Sequence, residues 1–161
     1  LWPAAVESGG VSFDLSAGGV AVCRGQKIAL PNGSGKRLSL LALSLGPAVR
    51  AEFRVGDRAV QRLVPQGAGW LGQWWKPKPG AAGEPSPAFL PTAPVAWYAT
   101  HLDRPDGSFE PYRFAYLHRI DLTIPPGASS LTLPDDRRLA VAAAVRWSAP
   151  PRVEPVEPIV R

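Results

Sequence analysis

Side chains that suit sugar binding are concentrated in the middle of the sequence. Sugar rings have apolar C–H faces that stack on exposed aromatic planes, and their hydroxyls need polar partners at the edge of the ring. The tryptophans would be the stacking platforms, and His101, Asp103 and Arg104 would supply the hydrogen bonds. The candidates for this chemistry are Trp70, Trp74, Trp75, Trp97, Tyr98, His101, Asp103 and Arg104.

The same tryptophans have a second interpretation. Because a buried aromatic ring contributes a large packing energy, any one of them can belong to the core or fix a loop to it. They can also form an interface between this domain and another module of a longer chain. For the aromatic cluster, the sequence leaves ligand binding and packing open as alternatives.

Carboxylates follow the aromatic cluster at Asp103, Asp106 and Glu110. The segment 103–108 has oxygen ligands for a calcium ion, but it is equally typical of an Asx turn. A glycosidase needs two carboxylates that converge on a cleft about 5–10 Å apart, and the sequence does not bring two of these together. The GxSxG, HExxH and CxxC motifs do not occur. We therefore expect no catalytic residue. We also expect no cofactor, unless the segment 103–108 binds calcium.

The composition favours a loop-rich, all-β domain. Of the 161 residues, 16 are Gly and 19 are Pro, which leaves little room for long helices. The apolar content of 45% is enough for a core, and the length suits one domain. No stretch approaches the roughly 18 uninterrupted apolar residues of a membrane span.

The charge pattern does not favour a nucleic acid as partner. The formal net charge is +5, but the cations are scattered, whereas a nucleic-acid surface needs clustered cations with aromatics between them. We interpret the closest approach to a stripe as the solvated face of a sheet. Its members are Arg50, Arg54, Arg58 and Arg62.

Cys23 lies in an apolar run, and we expect it to be a small buried side chain. As the lone cysteine it forms no intrachain disulfide. The sequence leaves the cellular compartment open, a secreted or periplasmic one included.

Alternating apolar residues predict a series of short strands. Residues 50–55 and 58–64 are expected to form a hairpin around a Gly-Asp turn, and 112–124 the longest strand. The run 38–45 is almost continuously apolar, which is typical of a strand buried on both faces.

Residues 139–147 are rich in alanine, so propensity alone allows a helix. Because a Pro-Asp-Asp turn precedes them, we prefer a strand. Val141, Val145 and Trp147 would then share one face.

Eight or nine strands with regular turns predict a β-sandwich or jelly roll of antiparallel sheets over residues 1–149. A long, extended, proline-rich loop is expected over 75–94. Residues 150–161 resemble a stiff, proline-rich linker or tail.

Several stretches, spread over roughly residues 20–147, resemble segments of one enzyme family. They are 24–31, 37–42, 70–74, 96–101, 106–107, 112–117, 126–128 and 131–136. Together they resemble the C-terminal β-sandwich accessory domain of bacterial α-mannosidase-like glycoside hydrolases of the family 38 type. The resemblance implies a galactose-binding-like or jelly-roll sandwich attached to a carbohydrate-active enzyme. It also implies that the nucleophile and metal ligands lie in another domain.

The leading hypothesis is a non-catalytic accessory domain of a glycan-degrading enzyme that binds carbohydrate through tryptophan-rich loops. Its partners would be carbohydrate and the catalytic module of the same polypeptide, with no nucleic acid and no membrane. Because the chain starts at Leu1 and contains no Met, we expect a fragment of a longer polypeptide. The alternative is a structural domain that packs against the catalytic module without binding sugar. Hydrolase activity of the fragment itself would need the carboxylate pair that the sequence does not show.

Overall fold

The computed structural model describes residues 3–67 and 93–148, and within them the chain forms eleven β-strands and no helix. No described segment is therefore a helix with the length and apolar character of a membrane span. The strands are β1 (Ala5–Ser8), β2 (Val11–Asp14), β3 (Ala21–Val22), β4 (Lys27–Ala29), β5 (Arg37–Ser44), β6 (Val49–Val55), β7 (Arg58–Val64), β8 (Val95–Asp103), β9 (Phe109–Thr123), β10 (Ser130–Thr132) and β11 (Leu139–Trp147).

Two antiparallel sheets and a small hairpin make up the described fold. The larger sheet has the strand order β3-β11-β5-β9-β8, and the smaller has the order β4-β10-β6-β7. Strands β1 and β2 pair with each other as a separate hairpin. The predicted all-β sandwich of antiparallel sheets is confirmed.

The main core lies between the two sheets. Alternate side chains of β6 are buried from Val49 to Val55, and the others face solvent. The predicted hairpin of β6 and β7 is confirmed, and Gly56 takes φ 57° in its turn. Glycine adopts this left-handed conformation without steric cost. The largest buried members of the core include Leu38, Leu40, Phe53, Val55, Leu122 and Leu131.

The β1–β2 hairpin covers the other face of the larger sheet. Its apolar side chains pack with Leu41 of β5 and Leu117 of β9, whereas Leu40 faces the main core. Because neighbouring side chains of a strand point to opposite faces, β5 is buried on both sides. This confirms the prediction for that run. The hairpin contributes Val6, Val11, Phe13 and Leu15.

A chain of polar contacts fixes the β1–β2 hairpin to the larger sheet. The Arg119 guanidinium donates to the Ser8 carbonyl and to the Asp121 carboxylate. Asp121 accepts a hydrogen bond from Ser39 Oγ, which in turn accepts one from Trp147 Nε1 at 2.8 Å. The polar groups between these layers are therefore paired, as burial requires.

Strand β11 confirms the preferred strand over 139–147, and the helix alternative is wrong. Its register against β5 shifts between Val141 and Ala143. Such a bulge adds one residue and moves the side chains that follow to the opposite face. Val141 therefore lies in the main core, whereas Val145 and Trp147 pack with the β1–β2 hairpin. The prediction that these three residues share a face is wrong.

The four arginines of the expected stripe lie on two faces. Arg50 and Arg54 are on the solvent side of β6, but Arg58 and Arg62 pair with buried residues of that strand. Because the turn has two residues, Arg58 stands opposite Val55 and Arg62 opposite Ala51. Residues that stand opposite each other on neighbouring strands share a face. Arg62 donates from Nε to the Asp121 carbonyl oxygen at 3.1 Å. A single solvated face for all four is therefore wrong.

Cys23 is completely buried in the main core, as predicted. Its burial, helped by the negative charge of Asp136, raises the pKa of the thiol to about 11. The thiol is a packed apolar group in this fold.

Candidate functional site

The candidate site lies at the free end of the β8–β9 hairpin. The turn 104–108 is closed by a hydrogen bond from the Arg104 amide to the Ser108 carbonyl at 2.8 Å. The Asp106 carboxylate accepts bonds from the amide and the hydroxyl of Ser108. Gly107 takes φ 82°, which suits glycine. These local bonds stabilise the turn at the end of the hairpin.

The hairpin changes register just before this turn. Ala99 stands opposite Ala115, but His101 stands opposite Pro111. Proline has no N–H for the strand ladder, and irregular pairing re-aims nearby side chains. As a result Thr100 and His101, which a regular strand would point to opposite faces, line the same groove.

The groove has a volume of about 530 Å³. Phe109 is 66% exposed in it. The rings of His101 and Phe109 are nearly perpendicular, at 80°, with their centroids 6.0 Å apart. The full lining is Thr100, His101, Asp103, Phe109, Pro111 and Phe114.

Two of the predicted polar residues come together here, and a third turns away. His101 Nε2 lies 3.4 Å from Asp103 Oδ1, and His101 Nδ1 lies 3.4 Å from Thr100 Oγ1. Arg104 instead makes a 2.8 Å ion pair with Glu110. The polar edge of the groove is thus made by Thr100, His101 and Asp103.

The structure separates the two neighbouring aromatics of the predicted site. Trp97 stands opposite Leu117 and packs with the β1–β2 hairpin. Tyr98 points to the other face, opposite Tyr116, and is 62% exposed. The Tyr116 ring stacks on Phe114 of the groove, with centroids 6.4 Å apart. Tyr98 therefore borders the aromatic row that leads into the groove.

Three predicted stacking residues lie outside the described residues: Trp70, Trp74 and Trp75. The same holds for most of the proline-rich loop expected over 75–94 and for the tail 150–161. The roles given to these segments stay predictions.

Sequence reasoning missed Phe109 and Phe114 as site residues. The signal was their position after the 104–108 turn, because a hairpin turn brings the residues that follow it back beside those that precede it. His101 and Phe109 meet for this reason, although eight positions separate them.

No group of three or more His, Cys, Asp or Glu side chains that could hold a metal ion occurs in 3–67 and 93–148. Hydrogen bonds from Ser108 lower the pKa of Asp106. The segment 103–108 has the geometry of an Asx turn. Calcium binding there stays a prediction.

A comparison with curated proteins finds no match to the chain. The family model of the AziU2-like β-sandwich domain matches residues 1–148. This match agrees with the observed sandwich and brings no link to the α-mannosidase-like enzymes of family 38. Because the match spans most of the sequence, the chain belongs to the AziU2-like β-sandwich domain family.

Proposed function

We propose that this domain is a non-catalytic, carbohydrate-binding module of a glycan-degrading enzyme. The observation that carries the proposal is the groove at the end of the β8–β9 hairpin, in which two phenyl rings lie beside hydrogen-bonding side chains. Its volume of about 530 Å³ falls within the range of about 300–1,000 Å³ that is common for small-molecule sites.

The apolar part of the groove suits the C–H face of a sugar ring. Phe109 is largely exposed, and His101 stands almost at a right angle to it. The two rings form a corner, so a pyranose that stacks on Phe109 would direct its hydroxyls toward the imidazole. Stacking on an aromatic plane contributes dispersion and removes apolar area from water.

The polar edge of the groove can satisfy sugar hydroxyls in both directions. The Asp103 carboxylate accepts hydrogen bonds, and the Thr100 hydroxyl both donates and accepts them. A neutral imidazole donates from one ring nitrogen and accepts at the other. Because His101 contacts both neighbours, these three groups would bind a sugar as one set.

The carboxylates of the hairpin fit binding better than hydrolysis. Asp103 is the one carboxylate among the described residues that line the groove. Glu110 is held in an ion pair by Arg104. A glycosidase acts with two carboxyl groups across one cleft, and this groove has one.

The enzyme context of the proposal comes from the sequence. The chain resembles the accessory domain of bacterial α-mannosidase-like glycoside hydrolases, so the catalytic module of the same polypeptide is its covalent partner in this proposal. Carbohydrate is the ligand, and Trp70, Trp74 and Trp75 supply additional stacking planes.

The test is titration of the protein with mannose-containing, plant and microbial oligosaccharides by calorimetry. We expect a saturable signal at millimolar or lower concentration for at least one glycan. Phe109→Ala should weaken that binding about tenfold, because loss of the stacking plane removes about 1.4 kcal/mol.

Leu45→Ala is the matched control, since Leu45 is also a large apolar side chain, is 55% exposed and does not line the groove. Its affinity should equal that of the parent protein. The absence of binding to every glycan, or equal losses in the two variants, would refute the proposed function.

A second function, packing against another module, is favoured by the apolar surface of the same hairpin. Tyr98, Leu102 and Phe109 are 62%, 47% and 66% exposed. Leu102 neighbours Asp103, the partner of Phe109, so exposed apolar side chains occur on both faces of this hairpin. Exposed apolar surface of this kind can mark an interaction site. In this case the hairpin would be buried against the catalytic module.

The two functions differ in what Leu102→Ala does to the full-length polypeptide. Packing predicts a lower unfolding temperature of the full-length protein and an unchanged one for the isolated domain. Sugar binding through the groove predicts that neither temperature changes, because Leu102 does not line it.

A further inference from the structure

A second groove, of about 570 Å³, lies where the β6–β7 turn, the β9–β10 loop and the start of β4 meet. It shares no lining residue with the hairpin groove. Its lining is Lys27, Gly56, Asp57, Arg58, Pro125, Pro126, Gly127, Ala128, Ser129 and Ser130. The small side chains over 127–130 leave the groove open.

Backbone hydrogen bonds hold the walls of this groove in place. The β9–β10 loop starts with a turn in which Gly127 takes φ 78°. The Ser129 carbonyl then accepts a bond from the Leu30 amide at 2.9 Å, and the Ser130 carbonyl accepts one from the Gly56 amide at 2.8 Å. The loop is therefore bonded on both sides, and the groove exists before any ligand binds.

The donors that line the groove are not used elsewhere in the described part of the chain. Lys27 and Arg58 make no ion pair there, and the hydroxyls of Ser129 and Ser130 make no hydrogen bond there. Asp57 is the one carboxylate of the lining. Five other arginines make ion pairs with carboxylates in the described ranges, namely Arg54, Arg104, Arg113, Arg119 and Arg138.

We infer that this groove binds an oxyanion group (phosphate, sulfate or carboxylate) carried by a small molecule. Lys27 of β4 and Arg58 of β7 line the groove from the two outer strands of the smaller sheet, and Ser129 and Ser130 line it between them, at the start of β10. Guanidinium, ammonium and hydroxyl groups are the donors that recognise such oxygens. The inference goes beyond the proposed function and does not depend on it, because the residues of the two grooves differ.

The test follows the backbone amides by NMR while inorganic phosphate, sodium sulfate or glucuronate is added at constant ionic strength. We expect saturable shifts at Gly56 and over 127–130 at millimolar concentration, and none with glucose. The combined change Lys27→Gln and Arg58→Gln should weaken binding at least tenfold, because charge-assisted hydrogen bonds are lost. Saturation by the inorganic anions indicates recognition of the bare group, and saturation by glucuronate alone indicates an acidic sugar.

Arg50→Gln is the matched control, because Arg50 is exposed, makes no ion pair within the described ranges and does not line this groove. It removes a positive charge and should leave the titrations unchanged. The inference is overturned if none of the three anions shifts these amides, if glucose shifts them equally, or if Arg50→Gln weakens binding as much as the double variant. The variants alter only exposed side chains. The amide spectrum of each variant without ligand is compared with that of the parent protein to check that the fold is unchanged.

Discussion

His118 is a histidine in a position where a charge cannot be hydrated. It is completely buried, and its Nε2 lies 3.0 Å from the Gln66 carbonyl oxygen. Its Nδ1 is buried without a hydrogen bond. Burial lowers the pKa of His118 from its ordinary value of 6.5, and the backbones of Gln66 and Ala93 oppose this only in part. The neutral ring that donates from Nε2 is thus the form that the fold accommodates.

Burial of His118 predicts that the folded protein loses stability in acid. The unfolded chain takes up a proton near pH 6.5, whereas folded His118 does so only at lower pH, so the free energy of unfolding falls as pH falls below about 6.5. It stops falling below the folded pKa. Urea unfolding between pH 8 and 5 measures the effect.

His118→Phe should remove this part of the pH dependence, and His101→Gln should retain it. An unchanged slope in His118→Phe would show that other groups cause the acid effect.

Because Cys23 is buried, we expect its thiol to react slowly in the folded state. Its pKa of about 11 leaves little thiolate near neutral pH, and thiolate is the reactive form. Labelling with iodoacetamide should be slow in buffer and fast in urea, as followed by mass spectrometry. Equal rates in the two conditions would contradict the burial of this side chain.

At the scale of elements, the strands were predictable because apolar residues alternate along them, as over 50–55 and 112–124. Their faces were less predictable. The bulge in β11 falls among alanines, which are small enough for either face, so nothing in the apolar pattern marks it. The orientation of Arg58 and Arg62 follows from the length of one turn, which reverses the parity of β7.

The close packing around Gly35, just before β5, predicts that one added methyl group lowers the stability of the fold. A Cβ at this position would overlap the backbone carbonyl of Trp147, whereas one at Gly46 would meet nothing within 4 Å. Gly35→Ala should lower the free energy of unfolding by about 2 kcal/mol or more. Gly46→Ala should leave it unchanged or raise it slightly, since alanine reduces the freedom of the unfolded chain. Equal effects in denaturant unfolding would show that β11 does not end against Gly35.

At the scale of the molecule, the sequence predicted the sandwich but not its third layer. The β1–β2 hairpin covers the back of the larger sheet, and short strands near one end of a chain do not indicate which face they will cover. The candidate site was predictable at His101 and Asp103 because they are close in sequence. Phe109 reaches them through the hairpin pairing, which a search for neighbouring aromatics does not detect.

The shared core predicts that one large truncation affects the whole sandwich. Phe53 is almost completely buried between the sheets. Phe53→Ala should lower the free energy of unfolding by about 3–5 kcal/mol, because it removes a buried ring and leaves a cavity. Leu45→Ala should change it by less than about 0.5 kcal/mol, because that side chain is exposed. Chemical denaturation followed by circular dichroism measures both, and similar values would place Phe53 outside the core.

The positions of β10 and β11 have a consequence for synthesis on the ribosome. These two strands are made last among the described ones, yet β10 lies between β4 and β6, and β11 lies between β3 and β5. While the nascent chain still lacks residues 130–147, β3 and β4 have no neighbour to pair with and neither sheet can be completed. Completion of both sheets therefore waits for the end of translation of this domain, and β3 and β4 stay unpaired until then.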